Sequence, residues 1–533
     1  MSFKIPSLYL TDSYKVGHKK MLAPGTTRLY GTWIPRSVKY APKGITKIVS
    51  FGQQLVWKWL HDEFEENFFM WNLPGESARI VNAPAGNKHN EQLKQEALQF
   101  IKDISMHLGA EYNGKHFEEL WDLGYLPVKV KALPEGIETN PNIPHMTFIN
   151  TVNGFAWLTL YLETIVSSLA WKPSTAATIA KLYRKNAEEW VKKTDEKNIG
   201  LVDFMCHDFS ARGLDPMSQY LIGLGHATSF KGSDTLPVIP ASRYFYGVKD
   251  DEMPIFSVNA SEHSVSTTKI FTVGEQQMIA DWLKLFPTHI LSIVADTFDL
   301  WKLITEYLPA NKEAIMARDG KLVIRPDSGD PVDIICGLSK SEWIYDVKDN
   351  EKIYRNSESE RKGVIELLWD IFGGTINEQG YKVLDPHIGA IYGDSITPER
   401  QVQIYERLAA KGFAATNIVL GIGSFTYGMN SRDTLGFAAK GAWFEVEEDH
   451  GPMGNGKVKL AYNIYKDPVT DDGTKKSLKG LCAVSKDENN EYVVATECTI
   501  DGEVNGLLQV IYEDGKFFNT TTLTEIREKL KQI

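Results

Sequence analysis

Short apolar runs that stop abruptly at charged or small residues recur through the middle of the chain. Leu322-Val323-Ile324 runs into Arg325-Pro326-Asp327-Ser328-Gly329, and Leu201 to Cys206 runs into His207-Asp208-Phe209 and Arg212. Ile255 to Val258 leads to Ala260-Ser261-Glu262-His263, and Ile290 to Val294 leads to Asp296 and Asp299. Ile391-Tyr392 meets Gly393-Asp394, and Ile418 to Leu420 meets Gly421-Ile422-Gly423-Ser424. Val323 and Ile324 suit a strand buried on both faces, Pro326 forces Arg325 to be extended, and Ser328-Gly329 turns the chain. Arg325 and Asp327 are thereby placed at a strand's carboxyl end. Helical patterns lie between several runs. From Thr397 to Gly412, Thr397 caps, Pro398 suits the first turn, Val402, Tyr405, Leu408 and Ala409 share a face, and Gly412 ends the helix. Met278, Trp282 and Phe286 form a second stripe. Strands alternating with helices predict a parallel sheet, and polar residues at the strands' carboxyl ends predict an α/β barrel or a doubly wound sheet.

The flanks read differently. Residues 1–160 hold strand-like runs such as Val128 to Lys131 and a polar, Pro/Gly-rich excursion from Asn72 to Asn90 that reads as a surface insertion. Residues 161–436 carry the repeated strand ends, interrupted by a charged segment from Ser339 to Lys362 that reads as exposed. Residues 437–533 return to short strands and turns, including Val458 to Tyr462 and Tyr492 to Ala495. A chain of 533 residues with 43% hydrophobic content buries a large core and is expected to form two or three domains. Cys206, Cys336, Cys482 and Cys498 form no Cys-x-x-Cys pair, which argues against a zinc ribbon or a disulfide framework and for a reducing, cytoplasmic setting. The Met-Ser-Phe-Lys start has no signal-type apolar region. The most membrane-like stretch, Phe148 to Trp171, contains Asn150, Asn153 and Glu163 and reads as a core helix, not a span. A formal charge of −11 argues against nucleic acid, so an anionic substrate must be held by local basic clusters.

Arginine and aspartate at one strand end suit a phosphorylated sugar. A guanidinium binds phosphate as a planar fork, while a carboxylate accepts from vicinal hydroxyls or holds hydrated Mg²⁺. A surface ion pair explains that one segment equally well. Gly451 to Val458 has Walker A glycine spacing, but Val458 replaces the Mg²⁺-binding Ser or Thr and the preceding segment is acidic, so it reads as a hairpin turn. Gly421-x-Gly423-x-x-Thr426 lacks the third glycine of a dinucleotide loop and remains readable as a phosphate loop, with Arg432 and Lys440 downstream.

Thr11-Asp12-Ser13-Tyr14-Lys15, His207-Asp208-Phe209 with Arg212, Phe230 to Thr235, Glu262-His263-Ser264, Ile324 to Gly329, Gly393-Asp394 and Arg432-Asp433 occur in one order along nearly the whole chain. Together they resemble the nicotinamide phosphoribosyltransferases, which are type II phosphoribosyltransferases. The resemblance implies an irregular α/β barrel with a smaller β-rich domain built from both termini. It also implies transfer of the phosphoribosyl group from 5-phosphoribosyl-1-diphosphate to nicotinamide, with ATP as auxiliary substrate, Mg²⁺ as cofactor and a homodimer with shared sites.

By the same resemblance, Phe209 and the partner's Tyr14 sandwich the nicotinamide ring. Asp12 and Ser257 join the substrate site, and Arg212 and Asp234 hold the carboxamide or the adjacent ribose. Asp327 takes the ribose diol with Arg325 beside it. Gly393, Asp394, Gly423 and Ser424 form loops around the ribose and its 5′-phosphate, where Arg36, Arg432 and Lys440 supply positive charge. His263 is implied as the phosphoryl acceptor from ATP, with Asp299 or Glu262 on its opposite ring nitrogen. Asp299 and Asp327 are the implied Mg²⁺ residues, acting through water. The chain departs from the family pattern at Ser424 and Phe425, where successive glycines are expected, and at Ala295, where a serine is expected. A nicotinate phosphoribosyltransferase of the same fold and a catalytically silent binding or signalling homologue are the alternatives.

Overall fold

The computed structural model describes residues 5–69, 94–338, 344–345, 352–353, 357–393, 395–449, 456–470 and 477–532. The Asn72 to Asn90 excursion, most of the Ser339 to Lys362 segment, residues 451–455 and the predicted site residue Asp394 lie outside them.

Two seven-stranded sheets organise the chain. In chain order the strands are β1 (Thr26–Ile34), β2 (Val128–Ala132), β3 (Met146–Asn150), β4 (Cys206–Asp208), β5 (Gly232–Ser233), β6 (Asn259–Ala260) and β7 (Leu291–Val294). They continue with β8 (Leu322–Arg325), β9 (Ile388–Tyr392), β10 (Ile418–Ile422), β11 (Ala438–Asp449), β12 (Lys457–Asn463), β13 (Gln509–Glu513) and β14 (Lys516–Phe517). One sheet has the order β12-β11-β1-β3-β2-β13-β14, antiparallel throughout, and so draws on both ends of the sequence. The other, β5-β4-β10-β9-β8-β7-β6, is parallel throughout.

The parallel sheet closes on itself. Phe256 donates to the Lys231 carbonyl (2.7 Å) and accepts from the Ser233 N–H (3.0 Å), and three residues later Asn259 pairs with Leu291 of β7. The single segment from Phe256 to Ala260 therefore joins both edges, making an irregular α/β barrel. Its walls are apolar because helices cover the outside and side chains fill the inside: every residue of β7 and β9 is buried. Burying each Leu or Ile of this kind contributes roughly 1.5–3 kcal/mol.

Local signals fare well where they are self-contained. Thr397 caps the helix Pro398–Ala410 by accepting the Arg400 N–H (3.2 Å), and Ile404, Tyr405 and Leu408 are buried. Two expected elements differ. The run Leu201 to Cys206 enters the sheet only at Cys206, and Leu201 to Phe204 belong to a 3-10 turn, Glu196–Phe204, in which Leu201 and Phe204 face solvent while Val202 packs inward. Phe148 to Trp171 is not one helix. It contains the end of β3, the helix Ala156–Tyr161 and the start of the helix Glu163–Thr194, since uniform burial makes strand and helix look alike in sequence. Among the described residues no helix is long and apolar enough to cross a membrane.

Candidate active site

The carboxyl ends of the barrel strands open on one mouth, and its centre is built from β7 and β8. Asp296, just past β7, accepts the backbone N–H of Asp327 (3.0 Å) and of Ser328 (2.8 Å) and the Ser328 hydroxyl (2.5 Å), all at Oδ2. Its side chain is only 6% exposed, yet Oδ1 is buried with no hydrogen-bond partner among the described residues. That oxygen faces His263 Nε2 at 3.7 Å, and Asp327 Oδ2 lies 3.9 Å from the same nitrogen. His263 opens the helix His263–Val273 directly after β6, with Nδ1 3.3 Å from Thr297 Oγ1. The separations from Nε2 exceed hydrogen-bonding distance, so a half-exposed imidazole stands between two carboxylates with a nitrogen free to react.

β9 and β10 approach this centre through glycines. A Cβ on Gly393 would lie 2.5 Å from Asp327 Oδ1, and one on Gly421 would lie 2.5 Å from the Phe209 ring. Half-buried Phe209 therefore packs closely against β10 at Gly421, 4.7 Å from the His207 ring at 41°. Behind it the fully buried Asp208 accepts the Ser210 N–H (2.9 Å) and the Ser233 hydroxyl (3.3 Å), which fixes the turn that carries Phe209.

Asp234, just past β5, accepts from His207 Nε2 (2.9 Å) and from the Ser257 hydroxyl. Burial opposes its ionisation, but the His207 contact, the Ser257 hydroxyl and the Arg325 charge outweigh it and hold the carboxyl below its ordinary range. Arg325, at the end of β8, keeps a buried Nε without a partner among the described residues. Arg212 is exposed at the turn Ser210–Gly213. Gly423 precedes the four-residue helix Ser424–Tyr427, and the Ser424 side chain occupies the space that a Cβ on Gly213 would need. Phe425 is 58% exposed, and Ala295 is fully buried.

The remaining predicted residues form a second cluster. Glu163, at the start of the long helix, pairs with Lys440 (2.8 Å) and with the buried Lys15, and these cations hold its carboxyl below the ordinary range against the effect of burial. Asp12 accepts from Thr164 Oγ1 (2.7 Å), Arg36 donates to the Gly436 carbonyl (3.1 Å), and Arg432 pairs with Asp433 (3.3 Å). Tyr14 is 64% exposed and packs on His18 (5.5 Å), while Phe209 packs on His207.

Two predicted carboxylates sit elsewhere than beside the imidazole. Asp299 caps the next helix through the Lys302 N–H (3.0 Å), and Glu262 occupies the N-cap of the His263 helix. Asp296 stands at a strand end in the sequence without an assigned role, and its position after β7, matching that of Asp327 after β8, is the signal that marks it. Among the described residues no group of three or more His, Cys, Asp or Glu could enclose a metal ion.

Comparison with known proteins adds to this geometry. The nicotinate phosphoribosyltransferase (NAPRTase) family matches residues 204–496. A nicotinamide phosphoribosyltransferase of Acinetobacter baylyi is 38% identical, the match covering 100% of this chain and 98% of that protein. A nicotinamide phosphoribosyltransferase of Mycoplasma pneumoniae is 29% identical over 89% of this chain and 94% of its own length. Among solved structures, a nicotinate-nucleotide pyrophosphorylase from Pyrococcus furiosus shares the fold, with a TM-score of 0.51 and 15% identity, covering 100% of this chain and 97% of that one.

Proposed function

The chain belongs to the nicotinate phosphoribosyltransferase family, and from that premise we propose that it joins nicotinamide to 5-phosphoribosyl-1-diphosphate in NAD salvage. The products are nicotinamide mononucleotide and diphosphate. The observation that carries this reading is the mouth itself, where an aromatic face with an ionised carboxylate (Phe209, Asp234) stands beside a guanidinium and a second carboxylate (Arg325, Asp327).

Phe209 stacks on the pyridine ring, Asp234 accepts from the carboxamide NH₂, and Ser257 and Arg212 complete the polar rim. Asp327 accepts from the ribose hydroxyls. Arg325, Gly393, Gly423 and Ser424 border the phosphorylated sugar. The ring nitrogen attacks C1 with its own lone pair as the C1–O bond to diphosphate breaks, so no base is needed, and the ring leaves cationic. Alignment and charge placement carry the rate. Arg36, Arg432 and Lys440 add positive charge.

His263 receives the γ-phosphoryl group of ATP: a ring nitrogen forms the N–P bond as the bond to ADP breaks. The Asp296 and Asp327 carboxylates beside Nε2 orient the ring. The carboxylate of Asp327 and the unpartnered Oδ1 of Asp296 suit a hydrated cation, for which Asp299 was the other candidate. Mg²⁺ held there mainly by diphosphate oxygens and water would neutralise the leaving group. A homodimer that brings Tyr14 to its partner's Phe209 is supported by exposed Phe271 (82%), Phe298 (61%) and Val265 (48%) around the His263 helix. Mixing inactive Tyr14→Ala and Asp327→Ala chains is expected to restore one working site per heterodimer. The four free thiols fit a reducing cytoplasm.

Turnover of nicotinamide and 5-phosphoribosyl-1-diphosphate, followed by mononucleotide release, tests the assignment. Turnover with nicotinate in its place would select the other phosphoribosyltransferase, and none with either would select a silent homologue. γ-Labelled ATP is expected to leave an acid-labile, base-stable label that His263→Ala abolishes, while ATP-independent synthesis survives.

A further inference from the structure

The two residues read as facing the carboxamide, Asp234 and Ser257, lie on separate chain segments that meet only at the barrel's closure. Phe256 donates to the Lys231 carbonyl and accepts from the Ser233 N–H there, and the chain continues from each side to one member of the pair. Neither β5 nor the Phe256 to Ala260 segment is long enough to hold its own position, since β5 and β6 have two residues each. The Ser257 hydroxyl bonds Asp234 directly across this closure, and a support from outside the barrel steadies the two short segments that carry them.

That role falls to the last helix of the chain, Leu523–Lys531, which is anchored at its start by a Thr522/Glu525 capping box. Partly buried Arg527 projects from it between three carbonyls. Its Nε donates to Ala227 (2.6 Å), and its Nη2 donates to Pro254 (2.7 Å) and Phe230 (3.4 Å). Ala227 ends the helix that precedes β5, Phe230 leads into β5 and Asp234, and Pro254 leads into Phe256 and Ser257. A planar, multiply donating cation thus spans both arms of the pair, a geometry that a lysine's single nitrogen does not reproduce. Lys531 reinforces it through Asp203 (3.2 Å), whose carbonyl accepts the Lys231 N–H (2.7 Å) and whose carboxylate also pairs with Lys231 (3.3 Å) and Arg184 (2.9 Å).

We propose that Arg527 is a positioning residue for nicotinamide, setting the distance between Asp234 and Ser257 from the opposite end of the sequence. This rests on the reading of Asp234 and Ser257 as the residues that face the carboxamide. The sugar-phosphate side of the mouth, held by β8 and β9, does not depend on it.

The test uses the full-length enzyme and separate KM values for the pyridine and for 5-phosphoribosyl-1-diphosphate. Arg527→Gln is expected to raise the nicotinamide KM about tenfold and to leave the sugar-diphosphate KM within about twofold, the scale set by losing hydrogen bonds from a charged donor. Arg527→Lys should fall between the two, and Lys531→Met should shift the pyridine KM in the same direction by less. Both KM values rising together, or activity falling only with the folded fraction at unchanged KM, would overturn the proposal. A wild type that does not prefer nicotinamide over nicotinate would instead overturn the reading of Asp234, while the split between the two KM values still decides the role of Arg527.

Discussion

Two aspartates at opposite ends of the barrel both bury their carboxylates and differ in what their oxygens touch. Asp195 lies at the foot, 1% exposed, and its carboxylate accepts from Asn198 (3.0 and 3.2 Å), Asn377 (3.2 Å) and Thr416 (2.6 Å), tying the end of the long helix to the segments that precede β9 and β10. Asp296 lies at the mouth and is held just as firmly at Oδ2, but its Oδ1 has no partner, and neither has Arg325 Nε nearby. A buried polar atom left unmade costs stability, about 1–3 kcal/mol. Asp195 avoids that cost and Asp296 bears it, a difference that fits a saturated carboxylate in the scaffold and an open oxygen at the mouth.

The largest effect that could break this contrast is expected at Asp327. Asp327→Ala should lower kcat/KM by about 10³-fold or more while the melting temperature stays within about 2 °C of wild type. Steady-state kinetics and thermal melts on the same preparation check it, and a large loss of stability would remove the distinction between the two ends. At the foot the pattern reverses. Asp195→Ala should cost about 2–4 kcal/mol in denaturant unfolding, because buried donors lose their acceptor, and should leave the KM values of the folded enzyme within about twofold.

The smallest effect sharpens the mouth itself. An ionised Asp234 accepts from an amide and repels a carboxylate, so the wild type should prefer nicotinamide over nicotinate by about 10³-fold in kcat/KM. Asp234→Asn should narrow that ratio by about tenfold, since an amide side chain can accept or donate. The carboxyl is held below its ordinary range, so it stays ionised as pH falls from 8 to 5, and the charge is lost only as pH falls through that lowered value. The preference should therefore be flat over pH 5–8. A fall in the ratio between pH 7 and 5 would assign it to another group.

Much of the mouth was legible in the chain because its signals are local. A β-branched run ended by Arg325-Pro326-Asp327, a Thr397-Pro398 helix start and a glycine at 393 each impose their conformation on immediate neighbours, wherever the rest of the chain lies. That Asp296, and neither Asp299 nor Glu262, places an oxygen 3.7 Å from His263 Nε2 was not local. Asp296 and Asp299 both follow β7, and Asp296 turns toward His263 because its other oxygen is claimed by the Asp327 and Ser328 amides of the adjacent strand end. Nor did any local pattern announce that Phe256 would close the barrel against Lys231, or that Arg527 would reach the carbonyls of Ala227, Phe230 and Pro254. The sequence by itself determined which residue types stand at strand ends and which conformations they take. Tertiary structure alone decided which of them meet, because those meetings depend on hydrogen bonds between segments that are 31 residues apart at Asp296 and Asp327 and 300 apart at Arg527 and Ala227, whose partners no local rule specifies.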